Sequence, residues 1–157
     1  SALKPGCSSV SLADDMGVPV SLVPVAVKAF QEIAARYNVT VATYGHASDG
    51  NLHTKMVIDP TDKDEWDRGV KAVNEIFDVC IELGGTVTGE HGVGLSKAPN
   101  FMKERESEIS SIRAIKKAMD PENILNPGKL EQWTGPFLRD LRYPCPEYMG
   151  DSPAVRE

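Results

Sequence analysis

Two strand-like segments flank one polar, glycine-containing turn, and this pairing constrains the fold more than any other feature of the chain. Residues 39–44 (VTVATY) are rich in β-branched side chains and are bounded by Gly45, as a pleated strand prefers. Residues 51–58 (NLHTKMVI) alternate Leu52, Thr54, Met56 and Ile58 against Asn51, His53, Lys55 and Val57. That period of two predicts a half-buried strand with His53 and Lys55 on its more polar face. The turn over 46–50 joins the two segments, so an antiparallel hairpin is expected.

The flanks supply helices of matching size. Residues 1–13 have no clear period and read as an extended lead-in, and 14–20 (DDMGVPV) as a short strand with Pro19 at its end or edge. Ser21 is placed to cap a helix with Pro24 in its first turn. Val23, Val27, Phe30, Ala34 and Tyr37 recur there at helical spacing, and Asn38 suits the left-handed residue after it. Beyond the hairpin, residues 59–61 (DPT) end the strand and cap a helix over about 62–83, with an apolar stripe of Trp66, Val70, Val73, Phe77 and Cys80. Gly84 and Gly85 stop it. Residues 86–88 (TVT) predict a strand that delivers the loop 89–94. A last helix over about 106–119 carries Ile109, Ile112, Ile115 and Met119 on one face and ends at Asp120-Pro121. Residues 131–157 are rich in Pro and aromatics and aperiodic, and read as an irregular tail. The order β-α-β-β-α-β plus a helix predicts an α+β, ferredoxin-like antiparallel sheet with helices on one face. The other face is left for a second domain, or for a homodimer.

The totals narrow the function classes. A net charge of -6 over 157 residues argues against a nucleic-acid surface. No apolar run reaches the ~18 residues of a membrane span, and no secretory signal is visible. Cys7, Cys80 and Cys145 are odd in number and form no C-x-x-C pair, so free thiols in a reducing compartment are expected rather than a disulfide framework.

The residues with chemistry to offer are His46, His53, Glu90 and His91. A tight hairpin would bring His46 and His53 together, and imidazole and carboxylate are ordinary zinc ligands. Two histidines and one acid would leave positions open for water or substrate, as a catalytic site needs. If residues 90 and 91 are extended, Glu90 and His91 point to opposite sides. One could then face the metal and the other the reacting carbon, and His91, whose side-chain type titrates near neutrality, would suit a general base. Against this stands the plain reading: two histidines beside a turn are more often hydrogen-bonded surface residues, and the spacing matches none of the sharp metal motifs. The glycines of 89–94 serve turns better than they signal a phosphate loop. Residues 103–106 (KERE) read as a solvated helix face or loop.

Three motifs in order then resemble one family: Gly45-His46-x-x-Asp49-Gly50-Asn51-Leu52-His53, Gly89-Glu90-His91-Gly92-x-Gly94 and Asp120-Pro-x-Asn-Ile-Leu-Asn-Pro-Gly-Lys129. The chain is similar over residues 14–130 to the C-terminal domain of FAD-linked oxidases of the vanillyl-alcohol-oxidase superfamily, in its D-2-hydroxyacid dehydrogenase branch. That branch includes the glycolate oxidase FAD subunit, D-lactate dehydrogenase and D-2-hydroxyglutarate dehydrogenase. The resemblance implies that His46, His53 and Glu90 hold zinc or a similar divalent ion. It implies that His91 takes the hydroxyl proton of a small 2-hydroxy acid while hydride passes to flavin, and that Asn126 lies in the segment returning to the FAD. It further implies a separate FAD-binding domain, with this chain as the substrate-side piece, inactive alone. Family members commonly carry Asn where this chain has Lys55; a lysine there would pair with a substrate carboxylate. The tail 131–157 extends past the family motif and is a candidate contact for an iron–sulfur electron-accepting subunit, although a surface-wrapping extension is the commoner fate of such a segment. The implied location is cytoplasmic, peripheral to the membrane through such a subunit. Rival readings are another flavin-dependent oxidase or alkyl transferase of the superfamily, and a non-catalytic metal-binding or interaction domain.

Overall fold

The structure, a computed structural model, describes residues 7–94 and 96–127. Three strands form one antiparallel sheet in the order β1-β3-β2, with β1 at Ser8–Gly17, β2 at Thr40–His46 and β3 at Asn51–Ile58. The expected hairpin is β2–β3, in a register that sets Tyr44 opposite His53 and His46 opposite Asn51. Helices α1 (Val23–Arg36) and α2 (Lys63–Glu82) cover one face. Phe30 and Ile33 of α1, Trp66, Val73, Ile76, Phe77 and Cys80 of α2, and Met16, Met56 and Ile58 of the sheet are buried between the layers. Burying each of these large apolar side chains is worth about 1.5–3 kcal/mol. The α+β architecture is as the pattern predicts.

β3 is not half-buried. It is the central strand, so β1 and β2 shield both its edges, and seven of its eight residues are buried, His53 included. The alternation in its sequence separates an apolar, helix-facing row from a polar row that has its own neighbours.

β1 starts at Ser8, inside the expected lead-in, and ends at Gly17. Pro19 has no N–H for a ladder, the Val18 N–H goes to the Gly50 carbonyl at 3.0 Å, and Val20–Leu22 turn into a short 3-10 helix. That turn runs straight into α1, whose N-cap is Leu22 with no side-chain cap bond, so Ser21 does not cap it. Asn38 does take the left-handed conformation, at φ 51°. α2 is capped by Asp62, which accepts from the N–H groups of Asp64 (2.9 Å) and Glu65 (3.0 Å). Asp59 instead closes its own turn on Thr61.

The fourth strand expected at 86–88 shrinks to one bridge, Gly17 with Thr86, whose two backbone bonds are 2.8 and 2.9 Å long. It sits on the outer edge of β1, where the ferredoxin-like order places a fourth strand. Pairing stops there because the Val87 N–H is taken by the buried Glu104 carboxylate at 2.8 Å and because β1 bulges, with Asp15 at φ 71°. Glu104 belongs to α3 (Ala98–Glu104), a short helix that the pattern did not indicate and that turns the expected solvated run 103–106 partly inward. α4 spans Ile109–Met119. Only Ile109 of its apolar face is buried, while Ile115 and Met119 are exposed. Asp120 closes the following turn by accepting from Ile124 N–H and Leu125 N–H at 3.0 and 2.9 Å. Among the described residues no helix is long and apolar enough to cross a membrane. The tail 131–157 and Cys145 lie outside the described residues.

Candidate active and metal site

The hairpin turn sets the first two functional side chains. The His46 carbonyl accepts from the N–H groups of Asp49 and Gly50 at 3.2 and 3.1 Å, and Asp49 Oδ1 accepts from Asn51 N–H at 3.1 Å. Gly50 has φ 81°, and a Cβ there would lie 1.9 Å from the Val18 carbonyl oxygen, so only glycine fits. In this register His46 and His53 are diagonal neighbours on the sheet face away from the helices, with ring centroids 5.7 Å apart. Tyr44 lies against His53 at 5.4 Å.

The loop after Thr88 supplies the rest. Its backbone bends at 89–91 rather than running extended, so Glu90 and His91 do not point to opposite sides: both line one cleft with His46, His53 and Lys55. His91 stacks on His53 at 5.2 Å. Glu90 Oε1 stands 3.3 Å from His53 Nε2, 3.5 Å from His46 Nε2 and 3.7 Å from His91 Nε2. These separations exceed a normal N–H···O distance of about 2.7–3.2 Å. Two ligands each about 2.1 Å from a tetrahedral ion stand roughly 3.4 Å apart. The Glu90–His53 and Glu90–His46 separations are of that order, and the side chains whose ligating atoms all lie within 4.8 Å of one another are Asp15, His53, Glu90 and His91. The cleft measures about 350 Å³, within the range of small-molecule sites.

Two aspartates that the sequence reading passed over organise this site. Asp14 Oδ1 lies 2.9 Å from His53 Nδ1, and its Oδ2 2.6 Å from Lys55 Nζ. Burial disfavours the Asp14 charge, yet bonding and charge from Lys55 and His53 outweigh it and lower its pKa. An ionised carboxylate only accepts, so Nδ1 of His53 donates to Asp14 and Nε2 is turned toward Glu90. Asp15 is fully buried. Burial again opposes its charge, but bonds from Lys97, His91, Glu90 and Asn51 hold its pKa well below the carboxylate range. Adjacent acids in a strand were one available signal, since buried charges must be paired. Lys97, itself buried, carries no comparable signal.

Lys55 stands on the cleft wall, where its ammonium donates to Ser11 Oγ as well as to Asp14. Asn126 is exposed, in a left-handed conformation at φ 50°, beyond α4 and not on the cleft wall.

Fold and site together define an α+β domain that presents a histidine–carboxylate cluster on one sheet face. Comparison with known proteins names the class: residues 5–130 match the family described as FAD linked oxidases, C-terminal domain, and the chain belongs to that family. It is 49% identical over 133 residues to the glycolate oxidase subunit GlcD of Bacillus subtilis (strain 168), covering 84% of this chain and 27% of that protein. It is 34% identical to the D-lactate dehydrogenase of Archaeoglobus fulgidus, covering 63% and 22% of the two chains. It is also 34% identical to the D-2-hydroxyglutarate dehydrogenase of Stutzerimonas stutzeri, covering 74% and 26%. The chain thus spans about a quarter of the length of these curated relatives.

Proposed function

We propose that this chain is the substrate-side domain of an FAD-dependent D-2-hydroxyacid dehydrogenase that oxidises a 2-hydroxy acid to a 2-oxo acid. The observation that carries the reading is the convergence of three imidazole Nε2 atoms on Glu90 Oε1, at 3.3 to 3.7 Å, in an open cleft. Relatives named for glycolate, D-lactate and D-2-hydroxyglutarate support the substrate class.

His46, His53 and Glu90 would hold zinc or a similar divalent ion, which when bound withdraws charge from a substrate hydroxyl or carboxylate oxygen. Asp14 keeps the His53 ring in the tautomer and orientation that such binding needs. His91 receives the hydroxyl proton at Nε2, the nitrogen that faces the cleft cluster. Lys55 adds positive charge to the cleft wall and favours an acid over a neutral alcohol. FAD would supply the acceptor for the electron pair of the substrate carbon, and we assign its binding to a separate domain of the whole protein.

The test is anaerobic mixing of the whole FAD-containing protein with glycolate, D-lactate and D-2-hydroxyglutarate. Bleaching of the flavin by at least one acid is expected, with loss of the response by orders of magnitude in His91→Ala. No bleaching by any 2-hydroxy acid with zinc present would refute the proposal and favour another oxidase or alkyl-transferase chemistry.

A further inference from the structure

Asp15, His53, Glu90 and His91 each bring an oxygen or nitrogen to within 4.8 Å of the others. By distance alone Asp15 could be a metal ligand. Its hydrogen bonds say otherwise. Oδ1 accepts from Glu90 N–H at 2.7 Å and from Asn51 Nδ2 at 3.2 Å. Oδ2 accepts from His91 N–H at 2.9 Å and from Lys97 Nζ at 2.9 Å, with Thr88 Oγ1 at 3.4 Å. A carboxylate offers about four lone-pair sites, and all are taken. The side chain is fully buried, with no oxygen to spare for an ion.

The backbone follows the same arrangement. Asp15 sits at a β1 bulge at φ 71°, a conformation uncommon for a residue other than glycine and held only where its surroundings over-determine it. Its own carbonyl accepts from Gly89 N–H at 3.0 Å, so three consecutive N–H groups, 89 to 91, end on this one residue. A Cβ on Gly89 would lie 2.4 Å from Asn51 Nδ2 and 2.9 Å from Asp15 Oδ1. The loop is therefore pressed against the carboxylate with no room for a side chain. Lys97, at the far end of the same loop, returns to Asp15 and neutralises it.

We propose that Asp15 is a positioning residue: paired with Lys97, it holds the backbone of Glu90 and His91 so that their side chains meet His46 and His53, and it is not itself a ligand. This rests on the metal and proton-transfer roles proposed above.

The native protein gives the first test. In its amide NMR spectrum the Glu90 and His91 protons should be shifted downfield and slow to exchange, as bonds to a buried carboxylate require. Fast exchange with solvent at both would overturn the proposal without any variant having to fold. The second test is near-isosteric Asp15→Asn in the whole FAD-containing protein, loaded with cobalt(II) in place of zinc. Cobalt affinity and kcat should each fall about 10–100-fold, with KM changed far less, and the cobalt absorption bands should keep their position because the ligands are the same. Shifted bands would make Asp15 a ligand, and unchanged affinity with unchanged Glu90 and His91 amides would make it inert; either result overturns the proposal. Should the protein oxidise no 2-hydroxy acid, the substrate reading fails, while the amide and cobalt measurements still decide the role of Asp15.

Discussion

Asp14 Oδ1 lies 2.9 Å from Nδ1 of His53, and its second oxygen lies 2.6 Å from the Lys55 ammonium. One carboxylate thus orients a candidate metal ligand and holds the Lys55 cation on the cleft wall. Removing it should loosen both.

Asp14→Ala is expected to weaken zinc binding about 10–100-fold, the usual cost of losing the partner that orients a ligating histidine. Competition with a chromophoric chelator reads this directly. An affinity within about twofold of the parent would show that the His53 ring is held by its contacts with His91 and Tyr44 instead.

Stability should fall in acid. Asp14 and Asp15 are both held below the ordinary carboxylate value of 3.8, so the folded state keeps charges that the unfolded chain would protonate. Their contribution is fully present above about pH 4 and is lost as the pH falls from there toward the depressed folded values. Thermal midpoints of the parent should drop below pH 4, and Asp15→Asn should show a shallower drop. Equal slopes for parent and variant would contradict the pairing with Lys97.

Cys80 should resist thiol reagents in the folded protein. Burial first, and the Glu104 charge second, push its thiol up to about 12, and it lies 3.5 Å from Met16 Sδ in the core. Cys7 is only partly buried. With a charged disulfide reagent, Cys80 labelling is expected only under denaturant; rapid labelling without it would mean that the layer between α2 and β1 opens readily.

Phe77→Ala should cost about 3–5 kcal/mol in urea unfolding, the range for deleting a fully buried aromatic side chain. Phe77 has no exposed surface and sits between α2 and the sheet. A cost below about 1 kcal/mol would mean that this core is loosely packed.

The parts legible in the sequence are those whose determinants are local. The β2–β3 hairpin is marked by alternation and by Gly50, and α2 by a stripe whose Trp66, Val73, Phe77 and Cys80 are all buried. His46, His53, Glu90 and His91 were visible as candidates, and the fold brings all four into one cleft. What was not legible depends on distant partners. Asp15 reaches Asn51 across 36 positions and Lys97 across 82, and no periodicity reports such pairs. The failed fourth strand has the same origin: residues 86–88 have strand propensity, but Glu104, 17 positions on, takes the N–H of Val87. The bend at Glu90–His91 is also imposed from outside, by the Asp15 carboxylate, and it removes the extended backbone on which opposite-facing side chains would depend.

The most direct measurement is zinc content of the purified protein, taken beside His46→Ala and His53→Ala. One zinc per chain in the parent, with strong loss in both variants, is the expected result. No bound metal after zinc is added back to the folded parent would contradict the reading of this cluster as a metal-centred substrate site.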